Sequence, residues 1–155
     1  MIVASNTSPL TNLAAIGQFD ILHDLFDRLY IPPAVWAELN TSGERWPGRN
    51  EVAAADWVVQ KDVQNESLVH TLQRDLDEGE AEAIALAIEL KSDLLLLDEV
   101  EGRAVADHLN LRIVGAVGIL LAAKKQGIIP FVHPHLNALR ETGFYLGERS
   151  YQFAP

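Results

Sequence analysis

Five short apolar runs recur along the chain: IVAS (2–5), RLYI (28–31), WVVQ (57–60), LLLL (94–97) and RIV (112–114). Most are apolar throughout rather than alternating. That is the pattern of strands buried on both faces, as in a parallel sheet covered by helices. Helical spacing fills the gaps between them. Residues 8–16 place Leu10, Leu13, Ala14 and Ile16 on a short helix that Gly17 stops, and 19–26 forms another. Pro32 and Pro33 open a helix that runs through AVWAEL. The segment EGEAEAIALAIEL (78–90) is the clearest helix, rich in Ala, Glu and Leu. EVEGRAVADHL (99–109) follows the fourth strand, and AVGILLAAKKQG (116–127) follows the fifth. The latter has Lys124 and Lys125 in its last turn and Gly127 at its stop. HPHLNALRETG (133–143) is the final helix, and NTSGERWPGRN (40–50) is the one long loop expected. The pattern predicts a single βαβ-rich domain over 1–155 with a mainly parallel, roughly five-stranded sheet.

Composition narrows the class. At 155 residues, one domain buries roughly two-thirds of its unfolded surface. Hydrophobic content of 48% and charged content of 22% are ordinary for a soluble protein. The first residues lack a basic n-region, and DLLLLD is far too short to span a bilayer. With no cysteine there is no disulfide and no thiolate metal site. The expectation is a cytoplasmic protein with no membrane partner. The net charge of −10 argues against broad electrostatic binding to nucleic acid. An acidic enzyme acting on a phosphodiester needs a cation at its site, or a local basic patch.

Acidic residues at element ends supply candidate chemistry. Asp98 ends the LLLL run, where α/β sheets keep their ligand crevice, and Glu99 stands beside it. Glu38 lies on a helix among Val35, Trp36 and Leu39, and Glu80 follows Gly79 at the start of the Ala-rich helix. Asn6 ends the first strand. Carboxylates gathered in one crevice repel each other unless protonated or bridged, and oxygen-only ligands suit Mg²⁺ or Mn²⁺. Such an ion can activate a water and stabilise charge on a phosphodiester. Blander roles are open for each residue. Asp98 would cap the following helix, Glu80 would be a first-turn charge, and Glu38 an exposed helix residue. Glu82, two positions on from Glu80, faces elsewhere and reads as solvated. Thr7 and Ser8 either cap the first helix or bind phosphate. Arg45, Arg49 and Arg103 either contact RNA phosphates or are solvated. His133 and His135 lack an acidic partner in sequence and read as structural, and no GxSxG context supports a serine hydrolase.

Four segments carry a resemblance: VASNTSPLTNLAAIG, LYIPPAVWAEL, DEGEAEAIALAIELKSDLLLLDEVEGRAVADHLNLRIVGAVGILLAAKKQGII and LNALRETGFYL. In this order the chain resembles the PIN-domain family, and more narrowly its small stand-alone prokaryotic branch related to toxin ribonucleases. The resemblance implies a three-layer α/β/α sandwich around a parallel sheet, with an acidic, Mg²⁺- or Mn²⁺-dependent site that hydrolyses RNA. The family's second acid falls on Glu38, its third on Glu80 and its fourth on Asp98, with Glu99 assisting. Its first acid, normally Asp, is Asn6 here. A Thr that often follows the glycine after the fifth strand is Ala116. Asn6 still offers an oxygen, but a neutral one and a weaker Mg²⁺ ligand. The implied function is a metal-dependent endoribonuclease, the toxin of a toxin–antitoxin pair, weakened at Asn6; the alternative is an impaired PIN protein that binds RNA or a protein partner. A phosphoryl-transfer hydrolase is a third reading, but it lacks an activating Lys and Thr or Ser motif. The resemblance also implies an antitoxin partner and a homodimer; Trp36, Trp46, Trp57, Phe144 and Tyr145 are interface aromatics where exposed, and core residues otherwise.

Overall fold

Strands form where the apolar runs predict them. The computed structural model describes residues 1–41 and 47–143. In it β1 (Val3–Ser5), β2 (Leu29–Ile31), β3 (Val58–Gln60), β4 (Leu94–Leu96) and β5 (Ile113–Val114) each lie inside their run and are one residue shorter than it. They make one sheet in the order β3-β2-β1-β4-β5, and every neighbouring pair is parallel. The chain builds outward from β1 to β3, then returns to the other side of β1 for β4 and β5. The strand order therefore reverses between β1 and β4, which opens a crevice at their carboxyl ends.

Alternation along the two central strands feeds two cores. Val3, Leu94 and Leu96 face one core, and Ala4, Leu95 and Leu97 face the other. The first core is closed by α1 (Thr7–Ala15), α2 (Ile21–Phe26), α3 (Pro33–Leu39), α8 (Ala116–Lys125) and α9 (His133–Glu141). The second is closed by α5 (Glu66–Leu72), α6 (Glu78–Glu89) and α7 (Val100–His108). This is the expected three-layer α/β/α sandwich. Leu95, Leu96 and Leu97 are fully buried, each contributing about 1.5–3 kcal/mol from burial. The predicted stops hold. Gly17 and Gly127 have φ of 72° and 79°, and the following Gln18 and Ile128 amides donate back to Leu13 and Ala123. That doubled-back bond closes both helices, and the positive φ suits glycine.

Several expectations need correction. A helix, α4 (Arg49–Ala54), starts inside the stretch expected to be a loop over 40–50, with Gly48 at φ 93° before it. Gly43, Arg45 and Trp46 lie outside the described residues, as do Phe144 and Tyr145. Helix α5 is absent from the sequence pattern. None of its residues is buried, so it writes no apolar stripe; the Asn65 side chain caps it and Glu89 accepts from the Gln64 and Asn65 amides. Trp36 and Trp57 pack against the first core, and Trp57 also meets the Phe19 and His23 rings, so neither is a freely exposed interface aromatic. Among the described residues, no helix is long and apolar enough to cross a membrane.

Candidate active site

The site grows from the turn that links β1 to α1. The Asn6 amide N–H donates to Leu96 O and so prolongs the β1–β4 pairing by one residue. Asn6 then stands at the N-cap of α1, but its side chain makes no cap bond. It reaches across the crevice, and Nδ2 donates to Glu99 Oε2 at 3.0 Å. Ser8 Oγ donates to the other oxygen of the same carboxylate, Glu99 Oε1. Thr7 Oγ1 donates to Glu38 Oε2 at 2.8 Å. The helix-cap role open to Thr7 and Ser8 is thus not the one they take. The three consecutive side chains of Asn6-Thr7-Ser8 are donors, and each is spent on an acid.

Two more elements deliver carboxylates to the same place. Helix α3 presents Glu38. Helix α6 begins at the crevice because Asp77 caps it, with Asp77 Oδ1 accepting from Glu80 N at 2.8 Å. Between them, Gly79 lets the groups close in. A Cβ there would lie 3.0 Å from Glu38 Oε2, 3.5 Å from Asn6 Oδ1 and 3.6 Å from Asp77 Oδ1. On the far side, a Cβ at Gly102 of α7 would lie 2.7 Å from Glu80 Oε2. The first-turn position expected of Glu80 is real, and it also buries the side chain in the crevice at 7% exposure. Asp77 is the residue that sequence reasoning missed. Its signal was present as the capping pattern Asp77-Glu78-Gly79-Glu80 ahead of an apolar run.

Electrostatics mark this cluster as strained in charge. Glu80 is pushed up to about 7, first by burial, then by the charges of Asp77 and Glu99. Burial also raises Glu38; the Thr7 hydroxyl works against it, while Asp77 and Glu99 add to it. Two oxygens here are buried without a hydrogen-bond partner: Asn6 Oδ1 and Glu80 Oε2. An orphaned buried oxygen costs about 1–3 kcal/mol, so a pair of them in an acidic pocket suits a cation. The donor set is oxygen-only, which matches a hard divalent ion. As the side chains stand, however, among the described residues no group of three or more His, Cys, Asp or Glu is arranged to hold a metal ion. The oxygen-only chemistry of the residues fits such an ion.

Asp98 stands next to this cluster but turns away from it. Its Oδ1 accepts from Ala116 N at 2.9 Å and its Oδ2 from Asn12 Nδ2 at 3.0 Å. It caps α8 across the sheet rather than α7, the helix that follows it in sequence. Arg103 is held by Asp98 too, through Nε to the backbone carbonyl at 3.2 Å and a guanidinium–carboxylate approach of 3.5 Å. Arg49 is the first residue of α4, with Glu51 in the same turn. Glu82 corrects the solvated reading. It is half-buried, accepts from Ala34 N at 3.1 Å and so caps α3 from α6; its carboxyl is raised by burial, which the Ala34 N–H opposes.

Comparison with known proteins agrees with this architecture. A family model described as a PIN domain matches residues 2–154. A solved PilT N-terminus domain protein from the hyperthermophilic archaeon Sulfolobus solfataricus P2 is similar in fold, with a TM-score of 0.55 and 18% identity. That likeness covers 79% of this chain and 93% of the archaeal one. No curated protein matches the chain. PIN domains have a nuclease fold, generally use divalent metals and are commonly ribonucleases. With a match over nearly its whole length, the chain belongs to the PIN-domain family.

Proposed function

We propose that the protein is a divalent-metal-dependent endoribonuclease whose activity is attenuated by Asn6. The observation that carries this reading is the pair of orphaned buried oxygens, Asn6 Oδ1 and Glu80 Oε2, at the crevice between β1 and β4. Asn6, Glu38, Glu80 and Glu99 would hold Mg²⁺ or Mn²⁺, with Asp77 adding negative charge at the margin. When bound, the ion supplies water activation and stabilises charge developing on the phosphodiester. The chain's own residues do the rest. Glu80 can carry a proton near neutral pH and release it when a cation arrives. Thr7 and Ser8 orient Glu38 and Glu99, and both hydroxyls become donors for a phosphate oxygen once those acids turn. RNA is the substrate the family supports.

A second reading follows from the Asn6–Glu99 bond. A neutral amide holding an acid in place is an arrangement that needs no ion, and it favours an impaired PIN protein that binds RNA or a protein partner. A fluorescent RNA incubated with Mn²⁺, with and without chelator, separates the two. Slow Mn²⁺-dependent cleavage that Glu38→Gln and Glu80→Gln both remove supports the nuclease. Retained RNA binding with no cleavage, in this chain and in Asn6→Asp, supports the binding protein. The toxin role is tested by growth arrest on expression and its relief by a small neighbouring gene. The homodimer is tested by sedimentation at micromolar concentration.

A further inference from the structure

We infer that Asp98, the most prominent acid in the sequence, is a positioning residue that aims Glu99 into the site, and that Glu99 is the acid which meets the ion. This rests on the metal-site reading proposed above and assigns the work within it. Period-two alternation is the first argument. Leu94 and Leu96 face the core under α1 and α8, while Leu95 and Leu97 face the core under α6 and α7. Carried three residues past β4, the same alternation sends Asp98 toward α1 and α8 and Glu99 to the opposite side. Contacts part the two acids. Asp98 bonds Asn12 in the middle of α1 and Ala116 of α8, whereas Glu99 bonds Asn6 and Ser8 at the β1–α1 turn, where the Asn6 oxygen is orphaned.

Saturation of Asp98 is the second argument. Its side chain is 9% exposed and both oxygens accept a hydrogen bond; those of Glu99 do too, but only from rotatable side chains, Asn6 and Ser8, whereas one donor to Asp98 is a fixed backbone N–H. One of these comes from the first N–H of α8, where a negative charge is favoured by the helix dipole. Gly115 makes room for it, since a Cβ there would collide with Asp98 Oδ1 and the Arg103 guanidinium. Arg103 binds the Asp98 carbonyl from one turn into α7, and its own N–H bonds Glu99 O. Asp98 thus ties α1, α7 and α8 together at the residue before Glu99. Turning it toward an ion would strip a helix N-terminus and an amide of their acceptor.

Three variants test this, with Mn²⁺ affinity and amide exchange as readouts. Asp98→Asn keeps a side-chain acceptor for the Ala116 N–H, and an amide flip at Asn12 lets the second bond re-form. That variant is therefore expected to hold its Mn²⁺ Kd within about threefold, by paramagnetic-resonance titration. Asp98→Ala should speed exchange of the Ala116 amide at least about tenfold and weaken Mn²⁺ by a similar factor, so that the conservative variant rescues the drastic one. Glu99→Gln should weaken Mn²⁺ at least about tenfold while leaving Ala116 exchange untouched. A folded Asp98→Asn that loses more than threefold in affinity makes Asp98 a ligand and overturns the inference. If no form binds Mn²⁺, the metal reading itself fails. The placement of Asp98 is then judged on exchange alone, and unchanged Ala116 exchange in Asp98→Ala overturns it.

Discussion

Replacing Asn6 with Asp tests how this site balances charge. Asn6 is 2% exposed, and its Nδ2 lies 3.0 Å from Glu99 Oε2. In Asn6→Asp that donor becomes an anionic oxygen facing a carboxylate. Two such charges centred about 4 Å apart repel by about 4 kcal/mol at an effective dielectric near 20. Loss of a hydrogen bond to a charged group adds about 1.5–3 kcal/mol, and proton uptake relieves part of the total. We expect a net loss of about 2–4 kcal/mol in metal-free buffer at pH 8, a fall of roughly 5–15 °C in Tm. The deficit should shrink at pH 5.5, where one carboxyl can protonate. A divalent ion should shrink the deficit, because a ligand at a hundredfold its Kd stabilises by about 2.7 kcal/mol and the variant is expected to bind it more tightly than the parent. The assay is thermal unfolding of both proteins, with and without Mn²⁺, at the two pH values, together with RNA cleavage. If Asn6→Asp melts with the parent in metal-free buffer and gains no more from Mn²⁺, the placement of Asn6 in a cation site is wrong.

Other outcomes follow from the same geometry. Glu80 and Glu38 have raised carboxyls, so the folded state binds more protons than the unfolded one between about 4.5 and about 7. Metal-free stability should therefore fall as pH rises through that window, and Mn²⁺ affinity should rise, which calorimetry with proton-release buffers measures. Glu80→Gln removes the buried charge and should raise the metal-free Tm at pH 8 by a few degrees while weakening Mn²⁺ at least about tenfold; a lower Tm would count against the electrostatic account. Gly102→Ala gains about 1 kcal/mol of helix propensity but drives a methyl within 2.7 Å of Glu80 Oε2, so stability should hold within about 1 kcal/mol while Mn²⁺ affinity drops. Leu96→Ala, at a fully buried position in β4, should cost about 2–5 kcal/mol by denaturant titration.

Much of this protein is legible from local pattern alone. Apolar runs placed five strands to within a residue; the central β1 and β4 are buried throughout and have nowhere to put polar groups, whereas the edge strands β3 and β5 are only partly covered. Helix stops at Gly17 and Gly127 were readable because positive φ there suits glycine. Helix α5 was not, since its packing leaves no residue buried and so no periodic stripe. The site lies between these cases. Glu38, Glu80 and Asn6 could be named as candidates, but nothing local says that Asn6 meets Glu99 across 93 positions. That meeting depends on strand order, which places β1 beside β4, and on backbone pairing that no residue pattern encodes. Asp77 was hidden for a similar reason: in sequence it is a helix cap beside Glu80, and only the fold brings its charge to bear on Glu38. The direction of Asp98 divides differently. Its alternation with Glu99 is written in the chain, but which helices cover each face of the sheet, and therefore which acid meets the crevice, is decided by tertiary packing alone.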